Sequence, residues 1–498
     1  MLLALCLPAF ATNVLVIVAD DLGADKIEGF TDPASPADYL PSTPTLDDLR
    51  AGGITFTDAW ANPVCSPTRA SLHTGQPAYV HGIGYALSTG EAGLNDATWA
   101  TLGEGAQAAG YATGAFGKWH IGALGNGGTT DWELAAGDPS ITRMERPHPA
   151  GAGFDAYVGD LDGIMSDYDA WTRVTYPGSS GVNSSDLEWD TDPVEDVIVD
   201  EAINWIGAQT GDWFAMVNFY APHTKGGHGV YDADELYSTC PGDACVDAGT
   251  CPDMNGDGDT DDDVARIVYA NLVECMDDRI ETLLAGIPDL VLEDTVVVFM
   301  GDNGTPEDVL EGEYADAGSR PANGKESVYE TGVHVPMIVT DGESWLDVIA
   351  GRPPSSDIYP NPGDTYEGPT TTTDIHDTAL GWMEGVPRRY TTTFSRDLTG
   401  ALAAGATLVL PARRCTAWTE VYDTPSVDDA AAACRSGDWK LVMDVDAGGT
   451  CVIHELYDLS TDPFEHSDVS ATNSVIVTAL WNDVLSKGIG WLPTVVCP

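Results

Sequence analysis

Three unbroken runs of apolar, largely β-branched residues constrain this chain more than any other feature. They are 12–19 (TNVLVIVA), 213–220 (WFAMVNFY) and 295–300 (TVVVFM). A strand with one wet face alternates apolar and polar side chains. A strand covered on both faces does not, and that burial belongs to parallel sheets flanked by helices. Each run ends in polar residues: Asp20-Asp21-Leu22-Gly23, Ala221-Pro222-His223 and Gly301-Asp302-Asn303-Gly304. The carboxyl edge of an open α/β sheet is where ligands bind, so these are candidate functional positions. Helical patterns at 43–51 and 196–207 supply the strand–helix alternation. From about residue 405 the texture changes to strand-like 439–445 and 451–458, then helical 474–487. The expectation is an α/β fold: a large, mixed, mostly parallel β-sheet sandwiched by helices over 12–404, with a small α+β subdomain over 405–498.

Length and composition agree with one large core. The chain has 498 residues, 43% of them hydrophobic, which suits one big domain with an appendage. No stretch of 18 apolar residues occurs, so no membrane span is expected. Residues 1–11 (MLLALCLPAFA) form a short apolar run ending in the small-x-small pattern of Ala9-Phe10-Ala11. That reads as a signal peptide lacking a basic start, the alternative being an extension of the first strand. Export, to a secreted or periplasmic location, is therefore expected. Ten cysteines support it. Cys6 lies in the apolar run and Cys65 has a separate place. The other eight fall into two groups, Cys240, Cys245, Cys251 and Cys275, then Cys415, Cys434, Cys451 and Cys497, and suggest up to four disulfides. Zinc binding by the first three is the alternative, but the Cys-x2-Cys spacing is missing. With 79 acidic against 21 basic residues the formal charge is −58, which repels nucleic acid and anionic membranes. Basic residues are scarce, so each one beside a buried strand is informative.

The sharpest local signal is Asn62-Pro-Val-Cys65-Ser66-Pro67-Thr68-Arg69, continuing to Thr74-Gly75. Ser66 suits a helix N-cap and Pro67 a first helical position, with Cys65 at the N-terminus and Arg69 one turn on. Such a place favours negative charge at residue 65. A bare cysteine there reads as a thiolate nucleophile or as a buried structural thiol. Cys-x-Pro-x-Arg followed by Thr-Gly resembles the type I sulfatases of the alkaline phosphatase superfamily. The match continues in order through Asp20-Asp21, Gly117-Lys118-Trp119-His120, Pro222-His223, Asp302-Asn303-Gly304, Asn323-Gly324-Lys325 and Tyr329-Glu330-Thr331-Gly332. It extends through His334-Val335-Pro336 to Trp439-Lys440 and Glu455-Leu456-Tyr457-Asp458.

The resemblance implies a sulfuric ester hydrolase in which Cys65 is oxidised to formylglycine by a maturation enzyme. Asp20, Asp21, Asp302 and Asn303 would bind Ca²⁺, with Mg²⁺ as the alternative, together with residue 65; an all-oxygen anionic set suits a hard cation. Arg69 would hold the formylglycine. Alternation places Lys118 and His120 on one face of an extended segment, and the resemblance makes them, with His223 and Lys325, the groups that bind sulfate and handle protons. One hydroxyl of the hydrated aldehyde attacks sulfur, His223 and Lys325 protonate the leaving oxygen, and His120 deprotonates the second hydroxyl to expel sulfate. The chain departs from the family at Asn323 and Thr331, where glycine is usual, and at Asp377, where proline is usual. None removes a proposed catalytic group.

A separate acidic insert spans 240–263. Its Asp253, Asn255, Asp257, Asp259 and Asp261 alternate, with Gly258 at the turn position of an EF-hand, although Val264 replaces the closing glutamate. It is a candidate second calcium loop. Rival readings are a phosphate or phosphonate ester hydrolase of the same superfamily, and a non-catalytic calcium-stabilised protein. The resemblance implies a small-molecule or carbohydrate sulfate ester as substrate.

Overall fold

The computed structural model describes residues 13–30, 40–88, 98–122, 148–178, 186–225, 261–315, 323–385, 395–404, 415–422, 430–446 and 449–497, except 166, 357, 491 and 495, together with 91, 93, 94, 231, 236 and 238–240. Residues 1–12, with the signal-peptide reading and Cys6, lie outside them. So do Cys245, Cys251 and the candidate calcium ligands Asp253, Asn255, Asp257 and Asp259. Asp261 opens a helix, Asp261–Gly286.

The strands are β1 (Asn13–Ala19), β2 (Ile54–Phe56), β3 (Ala59–Trp60), β4 (Ala112–Gly117), β5 (Ala156–Gly159), β6 (Trp171–Tyr176), β7 (Asp186–Asp190) and β8 (Trp213–Asn218). They continue with β9 (Thr295–Gly301), β10 (Met337–Asp341), β11 (Thr365–Tyr366), β12 (Thr370–Thr371), β13 (Ala417–Val421), β14 (Ala431–Ser436), β15 (Trp439–Val445) and β16 (Val452–Asp458). Ten of them form one sheet in the order β11-β2-β10-β9-β1-β8-β4-β5-β6-β7. Its centre, β9-β1-β8-β4-β5, is parallel throughout, and β10, β6 and β7 join antiparallel. This is the mixed, mostly parallel sheet expected. The apolar runs explain it: in β1, Leu15, Ile17 and Ala19 enter one helix-covered core while Val14, Val16 and Val18 enter the other. Each such valine, leucine or isoleucine side chain contributes about 1.5–3 kcal/mol by leaving water.

The C-terminal strands form a separate antiparallel sheet, β13-β14-β15-β16. Helix Ser474–Lys487 packs Leu480, Trp481 and Val484 on one face of it. The other face, through Val421, Val442 and Tyr457, meets Trp60, Val64, Val328 and Tyr329 of the large unit. The C-terminal sheet therefore presses against the segments before Cys65 and after Lys325.

Among the described residues three disulfides are formed, each within the expected groups: Cys240–Cys275, Cys415–Cys434 and Cys451–Cys497. The first removes Cys240 from any zinc site. Cys65 is free and buried. Among the described residues no helix is long and apolar enough to cross a membrane.

Candidate active site

Parallel order puts the carboxyl ends of β1, β4, β8 and β9 side by side. Each delivers its polar residues to one place: Asp20 and Asp21 after β1, Lys118 and His120 after β4, His223 after β8, Asp302 and Asn303 after β9. Asp21 has φ +66°, a left-handed conformation rare outside glycine that stores strain at a site whose surroundings hold it.

Cys65 comes from a separate element, the buried helix Cys65–Thr74. The helix begins earlier than expected. Val64, extended, takes the N-cap position and Cys65 is the first helical residue, so Ser66 does not cap. Ser66 Oγ instead accepts the Leu87 N–H at 3.0 Å. The helix ends at Gly75, φ +63°, where a Cβ would sit 2.7 Å from the His376 ring. Glycine is required there on both counts.

The groups pair closely. Lys118 Nζ donates to Asp20 Oδ2. Arg69 Nε donates to Asp302 Oδ2 at 2.8 Å and its Nη1 to the Lys118 carbonyl at 2.9 Å. Lys325 Nζ lies 2.6 and 2.8 Å from the two Asp21 oxygens. His223 Nε2 stands 3.8 Å from Asp21 Oδ2. Asn303 Nδ2 donates to Asp21 Oδ1 at 2.8 Å, and the Tyr269 hydroxyl donates to the Asp21 carbonyl at 2.8 Å. Eight of the ten site residues proposed from the motifs are therefore joined here, and Cys65 and His120 are the other two.

Lys118 and His120 both reach the site, but not by the expected alternation. His120 is left-handed, φ +50°, so the extended segment has already turned. Its ring crosses over Gly163, where a Cβ would fall 2.0 Å from the imidazole. His120 Nε2 lies 2.9 Å from the Leu87 carbonyl, which can only accept, so Nε2 carries the hydrogen. Nδ1, 3.0 Å from Cys65 Sγ, is then the bare acceptor. A proton acceptor thus faces residue 65.

Charge follows burial. Burial pushes the Asp302 carboxyl up to about 6, with Asp20 adding to the rise. Burial also raises Asp21, but Lys325, His223 and Lys118 outweigh it and hold Asp21 well below the carboxylate range. Burial opposes the charge on Lys325, yet Asp21, Cys65 and Asp20 keep its pKa above the ordinary value. Burial lowers His223 to about 3 and carries His120 far below its usual value. The Cys65 thiol is pushed up by burial, which Lys118 and Lys325 offset in part, so the thiolate reading loses its support.

Two buried oxygens in the cluster, Asp20 Oδ1 and Asn303 Oδ1, have no hydrogen-bond partner among the described residues. Each such orphan costs about 1–3 kcal/mol. Both sit in a set of carboxylate and amide oxygens, the donor chemistry of a hard divalent cation, and Asp20, Cys65 and Asp302 offer ligand atoms within 4.8 Å of one another. The residues present fit such an ion.

The two departures around Lys325 meet each other. The Thr331 hydroxyl donates to Asn323 Oδ1 and accepts the Gly324 N–H at 2.9 Å. Together with Lys325 N–H to the Thr305 carbonyl at 2.8 Å, this fixes the loop that presents the lysine. Asp377 is buried in the first turn of helix Asp374–Glu384.

Sequence reasoning missed Glu195. Its Oε1 accepts the N–H groups of Tyr220 and Ala221 at 2.9 and 2.7 Å, holding the segment that leads to His223. A glutamate in the first turn of helix Val194–Gly207 is an ordinary helix feature, so nothing marked it. Burial pushes its carboxyl up to about 8 from an ordinary 4.5. The folded chain then keeps a proton that the unfolded chain has released. Stability from this group is full below about 4.5 and declines as pH rises towards 8. Glu195→Gln keeps an oxygen for both N–H groups and is expected to flatten that decline. Melting temperatures at pH 5 and pH 8 check it, and equal losses in both proteins would exclude the assignment.

A cavity of about 680 Å³ opens over the cluster, with Cys65, His120, His223, Lys325 and Asp21 in its wall. Comparison with known proteins gives these features a family. Residues 12–386 match the Sulfatase family model. Arylsulfatase A of Bos taurus is 41% identical over 114 residues, 22% of this chain and 21% of that protein. The arylsulfatase of Hemicentrotus pulcherrimus is 25% identical over 352 residues, 67% of this chain and 54% of that one. The chain therefore spans about half or less of the length of these curated relatives. The solved structure of Ps i-CgsB in complex with k-i-k-neocarrahexaose shares the fold, with TM-score 0.67 at 21% identity over 97% of this chain and 93% of that chain. With the family model matched across most of its length, and its motifs gathered at one sheet edge, the chain belongs to the sulfatase family.

Proposed function

We propose that the chain hydrolyses a sulfate ester to an alcohol and inorganic sulfate, with Cys65 converted to formylglycine by a maturation enzyme. The observation that carries this is the position of Cys65. It is the first residue of a buried helix, faces a bare His120 nitrogen at 3.0 Å, and lies in one cavity with Lys325 and His223. When formed, the hydrated aldehyde supplies two hydroxyls on one carbon, one to attack sulfur and one to drive sulfate out. Asp20, Asp21, Asp302 and Asn303 would hold a divalent cation, Ca²⁺ in preference to Mg²⁺, and when bound it supplies Lewis-acid polarisation of the nucleophile and the sulfate.

The chain's own residues account for the proton movements. His120 Nδ1 accepts from a hydroxyl at residue 65, because its other nitrogen is committed to Leu87. Arg69 fixes Asp302 and the carbonyl of Lys118 from one helical turn away. Lys325, kept charged by Asp21, meets the negative charge that grows on the leaving oxygen. His223 is neutral through burial, and an adjacent sulfate is the charge that favours its protonated, donating form. The reading extends to export and to a sulfated small molecule or carbohydrate as substrate.

The test is mass spectrometry of the peptide spanning Cys65 from protein made in its native host, paired with assays on 4-nitrophenyl sulfate and 4-nitrophenyl phosphate. An aldehyde at residue 65 with preferred turnover of the sulfate is expected. An unmodified thiol in active protein rejects the nucleophile, and preferred turnover of the phosphate rejects the reaction.

A further inference from the structure

The cavity has two halves of opposite charge. Its floor carries Lys325 and His223 beside residue 65, the part that would take the sulfate. Its mouth is lined by four carboxylates, Asp162, Glu307, Asp308 and Glu326. Glu307, Asp308 and Glu326 are exposed and Asp162 is half-buried. Among the described residues no lysine, arginine or histidine forms an ion pair with any of the four. This differs from the floor, where every carboxylate has a cation.

The four come from three segments of the chain. Asp162 follows β5, and its backbone N–H donates to Asp160 Oδ1 at 2.9 Å. Glu307 and Asp308 begin a short 3-10 turn, Glu307–Val309. Glu326 directly follows Lys325 in a left-handed conformation, φ +74°, tied by its N–H to the Pro63 carbonyl at 2.8 Å. That strained backbone turns Glu326 out to solvent while Lys325 points to Asp21. The same cavity is lined by Ile164, a large apolar side chain left 53% exposed.

We propose that these four carboxylates make the site selective for sulfate monoesters of neutral or cationic alcohols and exclude leaving groups that carry a second anionic group. This rests on the sulfatase reading of the floor and names its substrate class. The sulfate must lie at the floor to reach residue 65, so the alcohol necessarily occupies the mouth. A second sulfate or carboxylate there sits within several ångströms of unpaired carboxylates and loses energy to each. A neutral ring instead lays an apolar face on Ile164, and an ammonium group gains from the carboxylates. The charge of −58 over the chain acts in the same direction at longer range.

The test uses three aryl sulfates differing only at the para position: aminomethyl, hydroxymethyl and carboxymethyl. Expected kcat/KM falls in that order, with the hydroxymethyl ester about tenfold above the carboxymethyl ester at low salt, and the gap closing as salt screens the exposed carboxylates. The double substitution Glu307→Gln with Asp308→Asn should cut the neutral-to-anionic ratio severalfold, a ratio that a general loss of folding leaves unmoved. Equal turnover of the neutral and anionic esters, or a ratio unchanged by the substitutions, overturns this inference alone. No turnover of any of the three removes the sulfatase reading, and this inference with it.

Discussion

Cys65→Ser is expected to lower steady-state sulfate-ester turnover by at least about 10⁴-fold, the scale on which removal of a nucleophile acts, while the fold survives. Serine is nearly the size of cysteine, and Cys65 makes its polar contact with His120, which a hydroxyl also makes. Folding therefore has little to lose. Chemistry loses its second step. A serine hydroxyl facing His120 Nδ1 can still be deprotonated and attack sulfur, but the resulting ester has one oxygen on its carbon and nothing to push sulfate off. The variant should stop after one event with a sulfo group on residue 65. Intact-protein mass spectrometry after incubation with 4-nitrophenyl sulfate reads that adduct, and the melting temperature reads the fold. Continued turnover by the serine protein would end the formylglycine proposal.

Lys440→Met should cost about 3–5 kcal/mol of apparent unfolding free energy, the range for removing one partner of a buried ion pair. Lys440 is fully buried. Its Nζ lies 3.0 Å from Glu330 Oε1 and 2.8 Å from Glu465 Oε1, and 4.7 Å above the Trp60 ring. One lysine serves two carboxylates. Burial pushes both up, but Lys440 together with Arg435 brings Glu330 down to about 2, while Glu465 stays above its ordinary value. Methionine would fill the volume, leave Glu465 without its cation and leave Glu330 only the more distant Arg435, 4.0 Å away. Adding Glu330→Gln and Glu465→Gln should recover most of the loss, because the uncompensated charge is then gone. Denaturant midpoints of the single and triple variants decide it. A loss below about 1 kcal/mol in the single variant would mean that the knot contributes little. The consequence reaches the site, since Glu330 ends the loop that presents Lys325 and Lys440 belongs to the C-terminal sheet. That sheet is thus a clamp on the loop that presents Lys325.

Much of this arrangement was legible in the residues. The runs that became β1, β8 and β9 could only be strands buried on both faces, and parallel pairing puts their carboxyl ends together. Asp20, Asp21, His223, Asp302 and Asn303 could therefore be placed at one edge before any coordinates. The Cys65 motif marked its own helix terminus to within a residue or two. Helix ends are set by which backbone groups find partners, and Ser66 found Leu87 instead of its own helix. The left-handed turn at His120 was not legible, because a Lys-x-His spacing carries no backbone angle.

Other features had no local signal at all. Asn323 and Thr331 read singly as departures from the family pattern; only the folded loop shows that one change answers the other through a hydrogen bond. Glu195 and the Glu307–Asp308 pair carry no motif that marks them in the sequence. The sequence by itself determined the sheet, the sheet edge that carries chemistry, and the residue types gathered there, because hydrophobic periodicity and short motifs are local properties of a chain. Only the tertiary structure decided which side chains meet: Lys325 with Asp21 across 304 positions, Lys440 with Glu330 across 110, and four carboxylates from three segments at one mouth. The reason is physical. Burial and pairing set the charge of each group, and both depend on neighbours that the chain brings together only when it packs.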